Sequence, residues 1–145
     1  MIKTIAAAAI ALALSSATVF AAEFEVKMLN KGADGSPMVF EPNFLKIAAG
    51  DTVKFVPTDK GHFAQTLKGA VPEGVEEFKS KLNAETVYAP PADGVYIIKC
   101  TPHLAMGMAM VIQVGAPTNL DAVKAIKLNP KTSERLAPVL AAITQ

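Results

Sequence analysis

The chain has 145 residues, with 14 Lys and Arg against 13 Asp and Glu, 51% hydrophobic residues and no tryptophan. So even a balance excludes bulk attraction to nucleic acid or to an anionic membrane surface, and any electrostatic recognition must come from where the charges lie. A single cysteine excludes an internal disulfide and haem attachment through Cys-x-x-Cys-His.

The chain opens with Lys3, an alanine-rich apolar run over Ile5–Leu14 and a break at Ser15-Ser16. This pattern predicts a cleaved secretory signal over residues 1–21. Cutting after Ala21 is preferred, because cutting after Ala22 would place bulky Phe20 three residues before the bond. The apolar stretch is short of the about 20 residues that a membrane anchor needs. Residues 22–145 then suffice for one domain with a core and not for two: a sandwich with the candidate site over residues 22–115, and helices over 116–145. Loss of Lys3 leaves 13 basic and 13 acidic residues.

Phe24, Val26 and Met28 alternate with Glu25, Lys27 and Leu29, the period of a half-buried strand. Further strands are expected at Phe44–Ile47, Thr52–Val56, Glu85–Tyr88, Val95–Cys100 and Met110–Val114, with Gly50-Asp51 and Pro90-Pro91-Ala92-Asp93-Gly94 as turns. Pro72–Lys79 reads as a short helical insertion. Short strands between Gly, Pro and Asp predict an antiparallel sandwich. The composition then shifts to helix formers over Asn119–Lys127 and Ser133–Thr144, with Asn119 and Ser133 as caps and Pro138 predicting a kink or late start.

Between the last two strands lies "KCTPHLAMGM", residues 99–108, which holds the only cysteine and one of two histidines. In an exported protein a lone thiol invites oxidation or intermolecular pairing unless something occupies it. Cys100, His103 and Met108 stand in a Cys-x2-His-x4-Met spacing, with Met106 and Met110 close by, and His62 follows the strand that ends near Val56. Singly, each has an ordinary reading: methionines as core filler, His62 as a turn residue, Cys100 as a reduced core thiol. Together, two imidazoles, a thiolate and a long thioether are the ligand set of a blue-copper electron-transfer centre. Thiolate and thioether favour Cu(I), imidazole favours Cu(II), and a rigid sandwich can hold a geometry acceptable to both.

The segments "EVKMLNKG", "MVFEP", "GDTVKFVPTDKGH", "PEGVEEFKSK", "KCTPHLAMGM" and "NLDAVKAIK" resemble the pseudoazurins, small cupredoxins of the bacterial periplasm. The resemblance runs over essentially the whole mature region. It implies a mainly β, cupredoxin-like Greek-key sandwich of about eight strands with two C-terminal α-helices. It further implies one type 1 copper ion per chain, ligated by His62, Cys100, His103 and Met108. One position departs: similar sequences commonly carry Asn directly after the first histidine, where this chain has Phe63. The Phe63 N–H can still donate to the Cys100 sulfur, but the side-chain tie to the cysteine loop is lost. Pro102 has no N–H to offer, so at most one backbone bond to sulfur is expected.

The expected function is therefore a diffusible, monomeric one-electron carrier of the periplasm. The competing reading is a periplasmic copper-binding or delivery protein that uses the same ligands and releases the metal. An enzyme is not expected, because a second copper would need further histidines and no motif around either histidine supplies a hydrolase's base and orienter. By resemblance the partner is a redox protein, a copper-containing nitrite reductase or a c-type cytochrome. It would dock around His103 within a ring of Lys31, Lys60, Lys79, Lys99 and Lys131, over an apolar patch of Pro102, Leu104 and Ala105. No nucleic acid, and in mature form no membrane, is implied.

Overall fold

Alternation carries directly into structure. In the computed structural model, which describes residues 20–145, Val26 and Met28 of strand β1 (Glu23–Lys31) are buried while Glu25 and Lys27 face solvent. The expected leader over residues 1–21 lies outside the described residues apart from Phe20 and Ala21. Seven further strands follow: β2 (Pro37–Glu41), β3 (Phe44–Ile47), β4 (Thr52–Val56), β5 (Gln65–Thr66), β6 (Thr86–Tyr88), β7 (Gly94–Lys99) and β8 (Ala109–Val114). Helices α1 (Leu120–Lys124) and α2 (Pro130–Ala142) close the chain. Two of the strands, β2 and β5, escape the sequence patterns: β2 opens on a proline and holds Met38 at φ 52°, and β5 is only two residues long.

The strands form two four-stranded sheets, in the orders β2-β1-β4-β6 and β3-β8-β7-β5. The purely antiparallel sandwich needs correction, because β1 runs parallel to β4 and β3 parallel to β8. Alternation reports which face a residue takes but not the direction of its neighbour, so both pairings were invisible in the sequence.

Two apolar layers result. Val26, Met28, Phe40, Val53, Phe55, Tyr96, Ile98, Cys100, Met108 and Met110 fill the space between the sheets. Val95, Ile97, Val111, Leu120, Val123, Leu136 and Leu140 fill the space between the second sheet and the helices. Strands β7 and β8 are thus covered on both faces, which explains why Val95–Ile98 and Met110–Ile112 read as unbroken apolar runs. Leu136 is fully buried in the outer layer. Leu136→Ala should cost about 2–5 kcal/mol through lost transfer energy and a residual cavity, read as a lowered denaturant midpoint at unchanged slope.

Two local expectations are overturned. Pro72–Lys79 is not helical: it runs irregularly beside β5, with Gly74 at φ 78° and Gln65 bridging to Lys79. Thr66 and Phe78 exchange backbone and side-chain hydrogen bonds there, and Val75 and Phe78 pack on the inner core. The second helix starts not at Ser133 but at Pro130, capped by Asn129, whose Oδ1 accepts from the Thr132 N–H at 3.0 Å. Proline at the first helical position gives up an N–H that the helix would not have used. Pro138 lies within α2 on its exposed side. Asn119 does stand at the start of α1, yet its side chain serves β7 instead, bonding the Val95 N–H at 2.7 Å and the Val95 carbonyl at 2.9 Å.

Candidate metal centre

Cys100 follows β7 in the inward phase set by Tyr96 and Ile98. The chain then turns at once through a 3-10 helix, Thr101–Met106, with Pro102 in its first turn. Gly107 ends it at φ 87°, where an added Cβ would also meet the Lys131 carbonyl oxygen at 2.9 Å. Left-handed backbone and close contact both ask for glycine there. Three bonds stitch the turn: His103 N–H to the Cys100 carbonyl at 3.0 Å, Met108 N–H to the His103 carbonyl at 3.2 Å, and Cys100 N–H to the Met108 carbonyl at 3.0 Å. The sequence neighbours of the site are thereby fixed to one another by backbone alone.

His62 arrives from the other sheet's side, after β4. Asn83, itself at φ 58°, holds that loop by accepting from the Gly61 N–H at 2.6 Å and donating to the His62 carbonyl at 2.9 Å. The His62 ring is completely buried, and its Nε2–H donates to Asn30 Oδ1 at 2.8 Å. That bond sets the tautomer and leaves Nδ1 free as a ligand atom. Asn30 was missed in the sequence: it shares the strand phase of Phe24, Val26 and Met28 but is itself exposed, so nothing along the chain marks it as the partner of the buried imidazole.

His62 Nδ1 lies 3.7 Å and His103 Nδ1 3.6 Å from Cys100 Sγ, and the rings meet edge to face with centroids 4.9 Å apart. Among the described residues this is the one cluster in which three His, Cys, Asp or Glu ligand atoms converge, all within 4.8 Å. The fit to a metal can be tested from bond lengths. Metal–sulfur of about 2.3 Å and metal–nitrogen of about 2.0 Å, in the trigonal arrangement of a His2Cys site, put sulfur and nitrogen about 3.7 Å apart. The donors are already at that spacing.

Electrostatics agree with a cationic occupant. Burial, then the neighbouring His103, hold His62 below the ordinary histidine value, with Asp59 partly opposing. The imidazole is therefore neutral and available. Burial pushes the Cys100 thiol up, against the backbone N–H groups of Phe63 and His103, which pull it down. A thiol so placed gives up its proton to a metal, which supplies the positive charge its surroundings lack.

The three methionines separate by environment. Met106 is 41% exposed, whereas Met108 and Met110 are fully buried in the inter-sheet core with Cys100. Met110 pairs with Ile98 deep in the β7–β8 ladder, while Met108 is bonded through its carbonyl to Cys100 itself. Phe63 is half-buried beneath Lys79, whose Nζ stands 5.2 Å from the ring centroid. The side-chain tie absent at Phe63 is replaced nearby, since Thr101 Oγ1 donates to Gln65 Oε1 at 2.9 Å. His103 is only half-buried, and Pro102, Ala105 and Met106 around it are exposed. Lys31, Lys60 and Lys79 are exposed and Lys99 is half-buried, while Lys131 is paired with Glu134 at 3.1 Å.

Comparison with known proteins bears on this geometry. Residues 26–115 match the family described as copper binding proteins of the plastocyanin/azurin family. The chain is 50% identical over 141 residues to the pseudoazurin of Paracoccus pantotrophus, covering 97% of each. It is 43% identical to the pseudoazurin of Methylorubrum extorquens, covering 96% of this chain and 95% of that one. Among solved structures, native pseudoazurin from Hyphomicrobium denitrificans superposes with a TM-score of 0.81 at 45% identity, covering 85% of this chain and 99% of that chain.

Proposed function

The chain belongs to the pseudoazurins within the plastocyanin/azurin family of copper-binding proteins, and from that premise we propose how its residues hold the metal and meet a partner. The protein is a periplasmic type 1 copper electron carrier and not an enzyme. Bound copper supplies the one-electron couple; the protein supplies its geometry and its access. His62, Cys100 and His103 would hold the copper, and the convergence of their three ligand atoms within 4.8 Å carries the reading. Met108 would supply the fourth, thioether ligand, a role supported by its burial and its backbone bond to Cys100. His62 is locked from behind by Asn30 and shut away from water, while half-buried His103 offers the path by which an electron leaves. Mixed donors held ready in a folded core suit a carrier better than a delivery protein, which must open to release its metal.

One equivalent of Cu(II) added to the metal-free protein should raise an intense visible sulfur-to-copper band, bleached reversibly by a one-electron reductant. Zn(II) should bind without colour. Failure of Cu(II) to give that band would remove the carrier reading.

A redox partner docks beside the site. The finer reading is an acidic redox protein, a copper-containing nitrite reductase or a c-type cytochrome, that meets Pro102, Leu104, Ala105 and Met106 inside a rim of lysines. Lys60, two residues before His62, and Lys79, over Phe63, support that rim most directly. Lys31 and Lys99 also lack an ion-pair partner among the described residues, whereas Lys131 contributes less, being neutralised by Glu134. Charge reversal at Lys60 and Lys79 should slow bimolecular electron transfer to an acidic partner and leave the potential nearly unchanged. Above roughly 0.1 M salt, where the Debye length is about 10 Å, the difference should shrink. Equal stopped-flow rates at low salt would move the docking surface elsewhere.

A further inference from the structure

The carbonyl of Leu104, one residue past His103, receives three donors: Asn129 Nδ2 at 3.0 Å, Thr132 Oγ1 at 3.0 Å and the Gly107 N–H at 2.9 Å. A carbonyl oxygen has two lone pairs, so this acceptor is saturated. Two of the donors come from the cap and the first turn of α2, which is otherwise a packing element behind the second sheet. Thr132 is fully buried. A hydroxyl in that position costs free energy unless bonded, and the helix's own packing would accept valine.

The two side chains are also joined to each other. Asn129 Nδ2 donates to Thr132 Oγ1 at 2.8 Å, and Asn129 Oδ1 caps the Thr132 N–H at 3.0 Å. One turn further on, Arg135 donates to the carbonyls of Pro37 and Met38 at 2.6 Å each. The helix is therefore tied to β2 on one side and to the loop on the other, with Gly107 pressed against its backbone. On the His62 side the loop has a single side-chain tie, Thr101 to Gln65, in a partly exposed position.

We propose that Asn129 and Thr132 are positioning residues for the electron-transfer site. They hold the Leu104 carbonyl, and through it the half-buried His103, in ligating geometry. Of the two histidines, His62 is wholly enclosed and held by Asn30. His103 is the one whose loop faces solvent, so its precision depends on what stands behind that loop. An electron carrier works fastest when its ligands rearrange least between oxidation states, and a supported first layer of ligands is how such precision is kept. This rests on the proposed role of the loop as ligand carrier.

The test uses Thr132→Val, Thr132→Ser and Asn129→Asp in the full mature protein, metal-free and copper-loaded. Thr132→Val keeps the shape and removes the hydroxyl. Asn129→Asp keeps a good helix cap while setting a carboxylate oxygen against the Leu104 carbonyl. Amide exchange at Gly107 and Met108 should quicken about tenfold in Thr132→Val, the loss of roughly one buried hydrogen bond, and more in Asn129→Asp. Amides of Val53 and Phe55 in β4 should not change, and Thr132→Ser should restore wild-type exchange. In the copper-loaded variants the visible band and the reduction potential should shift together with the exchange. Unchanged loop exchange, or equal acceleration in β4, would overturn the proposal, as would a loosened loop with band and potential unmoved. The exchange measurement needs no copper, so it separates failure of the clamp from failure of the metal assignment.

Discussion

Cys100→Ser should yield a folded protein that binds Cu(II) without the intense visible colour. The band is a sulfur-to-copper charge transfer and needs a thiolate; a serine hydroxyl at the same place cannot supply it. Folding should survive, because the exchange is nearly isosteric and the new hydroxyl lies where His62 and His103 present their Nδ1 atoms, 3.7 and 3.6 Å from the present sulfur. The loss of a soft buried donor should also weaken copper retention, since nothing else in the cluster favours Cu(I) as strongly. Far-ultraviolet circular dichroism checks the fold and the visible spectrum checks the ligand. Retention of the intense band would eliminate Cys100 as the thiolate ligand.

Met108→Gln should lower the reduction potential by at least about 59 mV, the one-electron equivalent of a tenfold preference for Cu(II). A carboxamide oxygen is harder than a thioether and stabilises the oxidised ion. The choice of sulfur is what this variant tests. Met106 is 41% exposed, whereas Met108 is fully buried and bonded through its carbonyl to Cys100. Met106→Gln should therefore leave the potential nearly where it is. A shift in Met106→Gln without one in Met108→Gln would exchange the two assignments.

Much of the site was legible because its chemistry is concentrated in ten residues. Cys100 and His103 are separated by one tight turn, and Pro102 and Gly107 mark where that turn begins and ends. The strand phases were equally local: Tyr96, Ile98 and Cys100 take the inner face because a strand alternates. The same logic stops short two residues past Met28, where Asn30 shares the inward phase and yet is exposed. Its partner, the Nε2 of His62, lies 32 residues away, and no spacing along the chain reveals it. Likewise the start of α2 was present as Asn129-Pro130, a cap followed by a proline, but Ser133 three residues on offered a competing cap. Pro72–Lys79 failed for a different reason. Its charged and apolar residues suit a helix, but Thr66 and Phe78 find hydrogen bonds in each other, and Val75 and Phe78 reach the core from an irregular chain.

By itself the sequence determined the donors this protein owns, the faces its strands turn inward and the even charge that leaves recognition to local patches. These are properties of residue type and of short-range periodicity, which act within a few positions. Only the tertiary structure decided that His62 meets Cys100 across 38 positions, that β1 and β3 find parallel partners, and that a C-terminal helix reaches the copper loop. Such pairings are chosen by which arrangement buries two faces of β7 and β8 at once while leaving their backbone bonded. That is a condition on the whole chain, and no window of it carries the answer.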